Sequence, residues 1–319
     1  MNRKIFLSAL AAATALVAPA MAQSFPERPV TIVVPYSPGG NSDVFARHLA
    51  TDLQKLWDKP VVVENRPGAG SMIGTAHVSQ ANPDGHTILL TTSAYVTAPA
   101  VYDELPYDPL TGLTPIGKVG YVAYMLVGGA DMEAKTLEEF IEAAKEQPMI
   151  AATAGLGTTT HFAIEKFMAE TGLDMTVVHY GGGGDALVSL LSGDSDIYTT
   201  SVAVSADNIR SGAITAYAVM GDAGVSALPD VPTTTSLGFD DLNVAQWLGV
   251  FTPAGVSPEI AAQLNADINA VISTEDFRQR VAAIDVTVEQ TTLEQFSDLI
   301  ASEIVMWGEL AEERNITAE

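Results

Sequence analysis

The sequence predicts an α/β protein of mainly parallel sheets flanked by helices, on three observations. Strand-like and helix-like segments alternate almost throughout the chain. The strand candidates are short β-branched runs, such as Val30-Thr-Ile-Val-Val34 and Thr87-Ile-Leu-Leu-Thr-Thr92, the pattern of buried strands. Gly-rich turns stand between several of these runs and the helix that follows. At 319 residues the chain is long enough for two ordinary domains with real cores.

The first residues, Met1 to Ala22, read as a secretory signal. Arg3 and Lys4 supply the charged start, Ile5 to Val17 the apolar stretch, and Ala20-Met21-Ala22 a small-x-small site for cleavage before Gln23. The expected compartment is the periplasm of a Gram-negative cell. No other stretch approaches the roughly 20 apolar residues of a membrane span, so no stable membrane anchor is expected. The absence of cysteine excludes a disulfide scaffold and a lipidated cysteine. A net charge of −24 would repel nucleic acid and anionic membrane surfaces. It does not decide the charge of a small ligand, because local backbone dipoles can hold an anion inside an acidic shell.

In chain order, the Val30–Val34 strand leads through Pro35-Tyr-Ser-Pro-Gly-Gly40 into a helix with Phe45, Leu49, Leu53 and Leu56 on one face and Asn41 or Ser42 as N-cap. Val61-Val-Val63 precedes Asn65-Arg-Pro-Gly-Ala-Gly-Ser71 and a helix from about Ile73 to Gln80. After the Thr87–Thr92 strand comes Ser93. The apolar stretch from Val119 to Val127 lacks helical periodicity and reads as a strand crossing to a second domain. Thr136-x-x-Glu139 is a capping box before a helix bearing Leu137, Phe140, Ile141 and Ala144. Ile150-Ala-Ala-Thr153 runs into Ala154-Gly-Leu-Gly-Thr-Thr-Thr-His161 and another helix, and Met175-Thr-Val-Val178 into Tyr180-Gly-Gly-Gly-Gly-Asp185 and a third. Asp196–Thr200 and Ile214–Val219 are further strands. Ser257-Pro258-Glu259 starts a helix with Pro at its first position. A last helix begins near Leu293, and sequence does not choose which domain it caps.

Four strand–glycine–helix junctions result: Pro35–Asp43, Pro67–Ser71, Ala154–His161 and Tyr180–Asp185. Helix starts of this kind carry backbone N–H groups without partners at the positive end of the helix dipole, which suits an anion. Ligands of open α/β sheets bind at such strand ends. The first loop holds no Lys or Arg, so backbone groups and hydroxyls would carry the contact. Nucleotide motifs fail: Gly155-Leu-Gly157 lacks the third glycine of a dinucleotide fingerprint, and no phosphate-loop Lys exists. No Gly-x-Ser-x-Gly elbow occurs, and His48, His77, His86, His161 and His179 show no metal-ligand spacing. No metal, cofactor or catalytic residue is therefore expected. Asp43 either meets the helix dipole or accepts a hydrogen bond from a ligand. Trp247 is either core or a lid over the ligand.

The stretch Pro35 to Arg47, as Pro-x-x-Pro-Gly-Gly-x-x-Asp-x-x-Ala-Arg, resembles the signature of the extracytoplasmic solute receptors of tripartite tricarboxylate transporters, also called the Bug family. The likeness continues at Asn65-Arg-Pro-Gly-Ala-Gly70, at Gly155-x-Gly-x-x-x-His161 with Glu165 and Phe167, at Leu228-Pro-Asp-Val-Pro-Thr233, and at Trp247-x-Gly-x-x-x-Pro-Ala-Gly255. It implies a two-lobed periplasmic binding protein of type II that closes like a Venus flytrap on a small organic carboxylate. Lobe 1 would comprise residues 23–123 with 225–319, and lobe 2 residues 124–224. The partners implied are integral membrane transporter subunits.

In that family the loop matching Tyr36, Ser37, Pro38, Gly39, Gly40, Asn41, Ser42 and Asp43 faces the one matching Gly155, Gly157, Thr158, Thr159 and His161. Together they hold a carboxylate through backbone amides, hydroxyls and ordered water. Ser93 and Tyr180 would line the cleft. Two departures bear on ligand identity: Gly181 stands where relatives often have Lys, and Ser236 where they often have Glu. An exported small-ester hydrolase and a receptor signalling to a membrane sensor kinase are the alternative functions.

Overall fold

A computed structural model describes residues 25–317, so the predicted signal Met1 to Ala22 lies outside the described residues. The chain begins with β1 (Val30–Val34), α1 (Asn41–Trp57), β2 (Val61–Asn65), α2 (Met72–Ser79), β3 (Thr87–Thr92), the single-turn α3 (Ala94–Thr97) and the long β4 (Leu113–Gly128). It continues with α4 (Leu137–Glu146), β5 (Ile150–Thr153), α5 (Thr159–Thr171), β6 (Thr176–His179), α6 (Gly183–Ser192), β7 (Ile197–Ser201), α7 (Val202–Arg210) and β8 (Thr215–Val219). It ends with β9 (Ala245–Pro253), α8 (Pro258–Ile272), α9 (Glu275–Ala282), β10 (Thr287–Val288) and α10 (Leu293–Arg314).

Strand β4 organises the sheet. Its first part, Leu113–Ala123, pairs with β9, while from Tyr124 its partners are β7 and β8. The sheet therefore has two halves that share β4: β2-β1-β3-β9-β4 on one side and β4-β7-β5-β6 on the other, with β10 and β8 also on β4. Strands joined by βα crossovers pair in parallel, β1 with β2 and β3, and β5 with β6 and β7. The strands beside β4 all run antiparallel to it, so the sheet is mixed. Because β1 and β3 run along β4 and β5–β7 run against it, the carboxyl ends of the two parallel sets point toward the same waist.

Three cores result. One, with Phe45, Leu49, Leu264, Ile268 and Phe277, lies between the first half of the sheet and α1, α8 and α9. Another, with Ala186, Leu190, Tyr198 and Val202, lies under α6 and α7. The largest runs along the whole molecule and joins Val33, Leu89 and Trp247 to Phe162, Ile197 and Trp307. Helix α10 is its backbone: Phe296 meets Trp247 edge-on with ring centroids 5.4 Å apart, and four turns of 5.4 Å would not exhaust the helix. Further along, Trp307 packs on Phe162 of α5 at 5.2 Å. The last helix thus serves both halves of the sheet.

Local signals behave mostly as their chemistry requires. Ser257 caps α8 by accepting from the Ile260 amide, with Pro258 at the first position. Thr136 accepts from the Glu139 amide, but Glu139 takes the Lys135 amide rather than that of Thr136, so the predicted capping box is only half formed. The full reciprocal box is at Thr292 and Gln295, which start α10. Strands β9 and β10 and helices α7 and α9 have no counterpart in the sequence reading. In β9, Gly249 sits in the middle of the strand because the Phe296 ring fills the space its side chain would need.

Candidate functional site

The first loop leaves β1 at Val34 and reaches α1 through Gly39, whose φ of +92° suits glycine. Its cap differs from the expectation. Neither Asn41 nor Ser42 caps α1; Gly40 does, in an extended conformation and with no side-chain hydrogen bond. Asn41 and Ser42 fall instead in the first turn, whose amides have no intrahelical acceptor. No side chain closes this helix start, and residues Ser37 to Gly40 are exposed.

The loop is shaped from within by Asp43. The Gly39 amide and Arg47 Nε donate to its Oδ2 at 2.9 and 3.0 Å, and Asn65 Nδ2 to its Oδ1 at 2.9 Å. Asn65 also donates to the Tyr36 carbonyl at 3.1 Å and accepts from Arg47. Asp43 is only 3% exposed. Burial alone would raise its pKa, but the hydrogen bonds from Arg47, Gly39 and Asn65 outweigh it and hold the carboxyl below its ordinary value. Both oxygens are taken by the chain's own donors. Asp43 is therefore the organiser of the turn, and the Gly39 amide, expected to meet a ligand, is committed to it.

The second loop repeats the device. Gly155 and Gly157 have φ of +133° and +70°, and Thr158 caps α5 by accepting from the His161 amide. The Thr158 hydroxyl donates to the Gly155 carbonyl at 2.7 Å, and Thr160 Oγ1 accepts from the Ala154 amide at 2.9 Å. The Gly157 amide donates to His161 Nδ1 at 3.2 Å, so this ring nitrogen is bare and Nε2 carries the proton. Nε2 lies 3.5 Å from Glu165, which in turn accepts from Arg314 Nε at 2.7 Å. Burial would raise the Glu165 pKa; the bonds from His161 and Arg314 bring it below the ordinary carboxylate value. His179 packs edge-on against His161 and bonds Thr153; burial and the neighbouring imidazole lower its pKa.

The two loops are joined through hydroxyls. Tyr36 OH reaches from the first loop to Thr92 Oγ1 at 2.7 Å and Thr91 Oγ1 at 3.2 Å, at the end of β3. The next residue, Ser93, bonds Thr159 Oγ1 at 3.0 Å, with both side chains buried. Tyr124, where β4 changes partners, is pushed to a raised pKa by burial, with Tyr198 and Tyr36 adding to it, so its phenol is neutral. Gly157 leans against the same region: a Cβ there would stand 3.2 Å from Val101.

The structure chooses between the two readings of Trp247. Trp247 is 2% exposed, packed against Phe296, and its indole donates to Glu303 at 2.8 Å. It is core and not a lid, because β9 runs between two other strands under α10. Tyr180 is partly buried against the core under α6, with its hydroxyl 3.3 Å from Ser195 Oγ. Residues that sequence reasoning did not assign to the site are Thr92, Tyr124, Asn65, Arg47, Glu165 and Arg314. The Asp43–Arg47 and His161–Glu165 pairs carry a readable signal, the four-residue spacing that puts two side chains on one helix face. Among the described residues no cluster of His, Cys, Asp or Glu is set to hold a metal, and no helix is long and apolar enough to cross a membrane.

Two α/β half-sheets with opposed strand ends, a shared crossing strand and two glycine loops tied to the end of β3 are the arrangement of a solute-binding protein. The chain belongs to the Tripartite tricarboxylate transporter family receptors, whose family profile matches residues 45–316. It is 34% identical to Protein BugT of Bordetella pertussis over 98% of both chains. It is similar to the periplasmic binding protein BugD, with 30% identity and a TM-score of 0.74 over 92% of this chain and 99% of that one. It is also similar to MatC from Rhodopseudomonas palustris with bound malate, at 28% identity and a TM-score of 0.73 over 90% and 99% of the two chains. The fold is thus the two-lobed one of periplasmic binding proteins, and the protein is a solute receptor and not an enzyme.

Proposed function

We propose that this receptor captures a small organic carboxylate between the Tyr36–Asp43 and Gly155–His161 loops and passes it to integral membrane transporter subunits. The observation that carries the reading is the buried Ser93–Thr159 hydrogen bond, which sets the start of α5 against the end of β3 beside Tyr36. The free amides at the start of α1 and those in the first turn of α5 then serve one anion without a basic side chain. Ser37, Gly40, Asn41, Ser42 and Thr159 are the contacts, with Ser93 behind them, while Thr158 spends its amide and hydroxyl protons on the Gly155 carbonyl and shapes the loop. The bound malate of MatC supports the ligand class.

The lobes are residues 23–123 with 225–319, and 124–224; the change of partners after Ala123 in β4 supports that boundary. Capture is a hinge closure at this strand that removes the ligand from water. Export through the Met1–Ala22 signal would place the receptor in the periplasm. Isothermal titration of the mature protein with malate, citrate, adipate, benzoate and aspartate tests the reading. Saturable one-to-one binding of a carboxylate, lost when its acid is replaced by the amide, is expected. Ester turnover or binding of none of the acids would overturn it.

A further inference from the structure

Each loop hides an acid behind its anion site. In the first, Asp43 is neutralised by Arg47, four residues along the same helix. In the second, the buried acid is Glu165, 7% exposed, and no cation of α5 reaches it. Its partner comes from far away: Arg314 lies at the last turn of α10, whose other end packs on β9. A carboxylate buried one to two turns from a helix start would oppose an incoming anion unless its charge were balanced.

We propose that Arg314 is a positioning residue for the ligand loop of α5. It holds Glu165, Glu165 faces the Nε2–H of His161, and the bare Nδ1 of His161 fixes the Gly157 amide. This chain of contacts sets the Leu156–Thr159 backbone that the proposed carboxylate must meet. It also ties that loop to the opposite half of the sheet, since α10 is anchored there by Phe296 and by the Trp247–Glu303 bond. The first loop needs no such tie because its arginine is local. The inference rests on the carboxylate reading above for its effect on affinity, but its geometric part is independent of any ligand.

Histidine-labelled nitrogen spectra of the full mature protein, without ligand, test that part. The wild type should show His161 as a single tautomer, protonated at Nε2. Glu165→Gln keeps an acceptor and should retain it; Glu165→Leu and Arg314→Gln should lose it to an averaged signal, and Arg314→Lys should restore it in part. Titration with malate should then show affinity reduced about tenfold in Arg314→Gln, the worth of one charge-assisted hydrogen bond, and recovered in part by Arg314→Lys. An unchanged tautomer in Glu165→Leu, or an Arg314→Gln variant with wild-type spectrum and affinity, would overturn the proposal. Should Arg314→Gln not fold, Arg314→Lys decides in its place, a wild-type spectrum and affinity there overturning the proposal. A wild type that binds no malate or other acid would sink the carboxylate reading, while the tautomer comparison would still decide the role of Arg314.

Discussion

The Gly39 amide donates to Asp43 Oδ2 at 2.9 Å, and four residues is also the reach from Gly157 to the His161 ring. In both loops a glycine of positive φ is pinned by a side chain of the following helix. The pin takes one glycine amide out of reach of a ligand in each loop and leaves those of the first helical turn.

Asp43→Asn should destabilise the protein by about 1–3 kcal/mol near neutral pH, because Arg47 and Gly39 lose a charged acceptor. The pH dependence has a definite sign. The folded pKa of Asp43 is depressed, so its contribution is complete above the unfolded value of about 4 and fades as pH falls through the folded one. Urea midpoints measured down to acid pH should fall less steeply in Asp43→Asn than in the wild type.

Gly39 and Gly40 should respond differently to alanine. A Cβ at either meets no neighbour within 4 Å, yet only Gly39 has a positive φ. Gly39→Ala should cost about 1–2 kcal/mol in chemical denaturation from backbone strain alone. Gly40→Ala should leave stability unchanged and weaken binding, because its methyl group occupies the open side of the loop. Equal loss of stability in both would refute the assignment.

Ser93→Ala and Thr159→Val should be coupled. Each removes the Ser93–Thr159 bond between the end of β3 and the start of α5, so the double variant should be no less stable than the worse single one. The coupling in a double-mutant cycle is expected at about 0.5–1.5 kcal/mol, and additivity would show the bond to be weak in solution.

Trp247→Phe should separate stability from binding. It leaves the half-buried Glu303 without the Trp247 indole donor, and burial already raises the pKa of that carboxyl. A loss of about 1–3 kcal/mol is expected, with ligand affinity unchanged. A large affinity loss at wild-type stability would return Trp247 to the role of a lid.

Much of the fold was legible because it is local. The runs Val30–Val34 and Thr87–Thr92, the Ser257-Pro258 start of α8 and the glycines before α1 and α5 each act on neighbours a few residues away. Strand β9 escaped because its residues, with Gly249 in the middle, make sense only against Phe296 of α10. The cap of α1 is not local in the same sense: Gly40 stands there without a side-chain bond, next to a Gly39 amide that Asp43 holds from inside the helix.

By itself the sequence determined the alternation of strands and helices, the glycine turns that open onto helix starts, and the family signature spread along the chain. These depend on backbone preference and on spacing along one element, which are written in adjacent residues. Only the tertiary structure decided that Trp247 is core, that the Tyr180 hydroxyl meets Ser195, and that Ser93 meets Thr159 and Arg314 meets Glu165. Contacts between residues 66 and 149 positions apart depend on how β4 divides the sheet and how α10 lies across it, and no local pattern encodes such a juxtaposition.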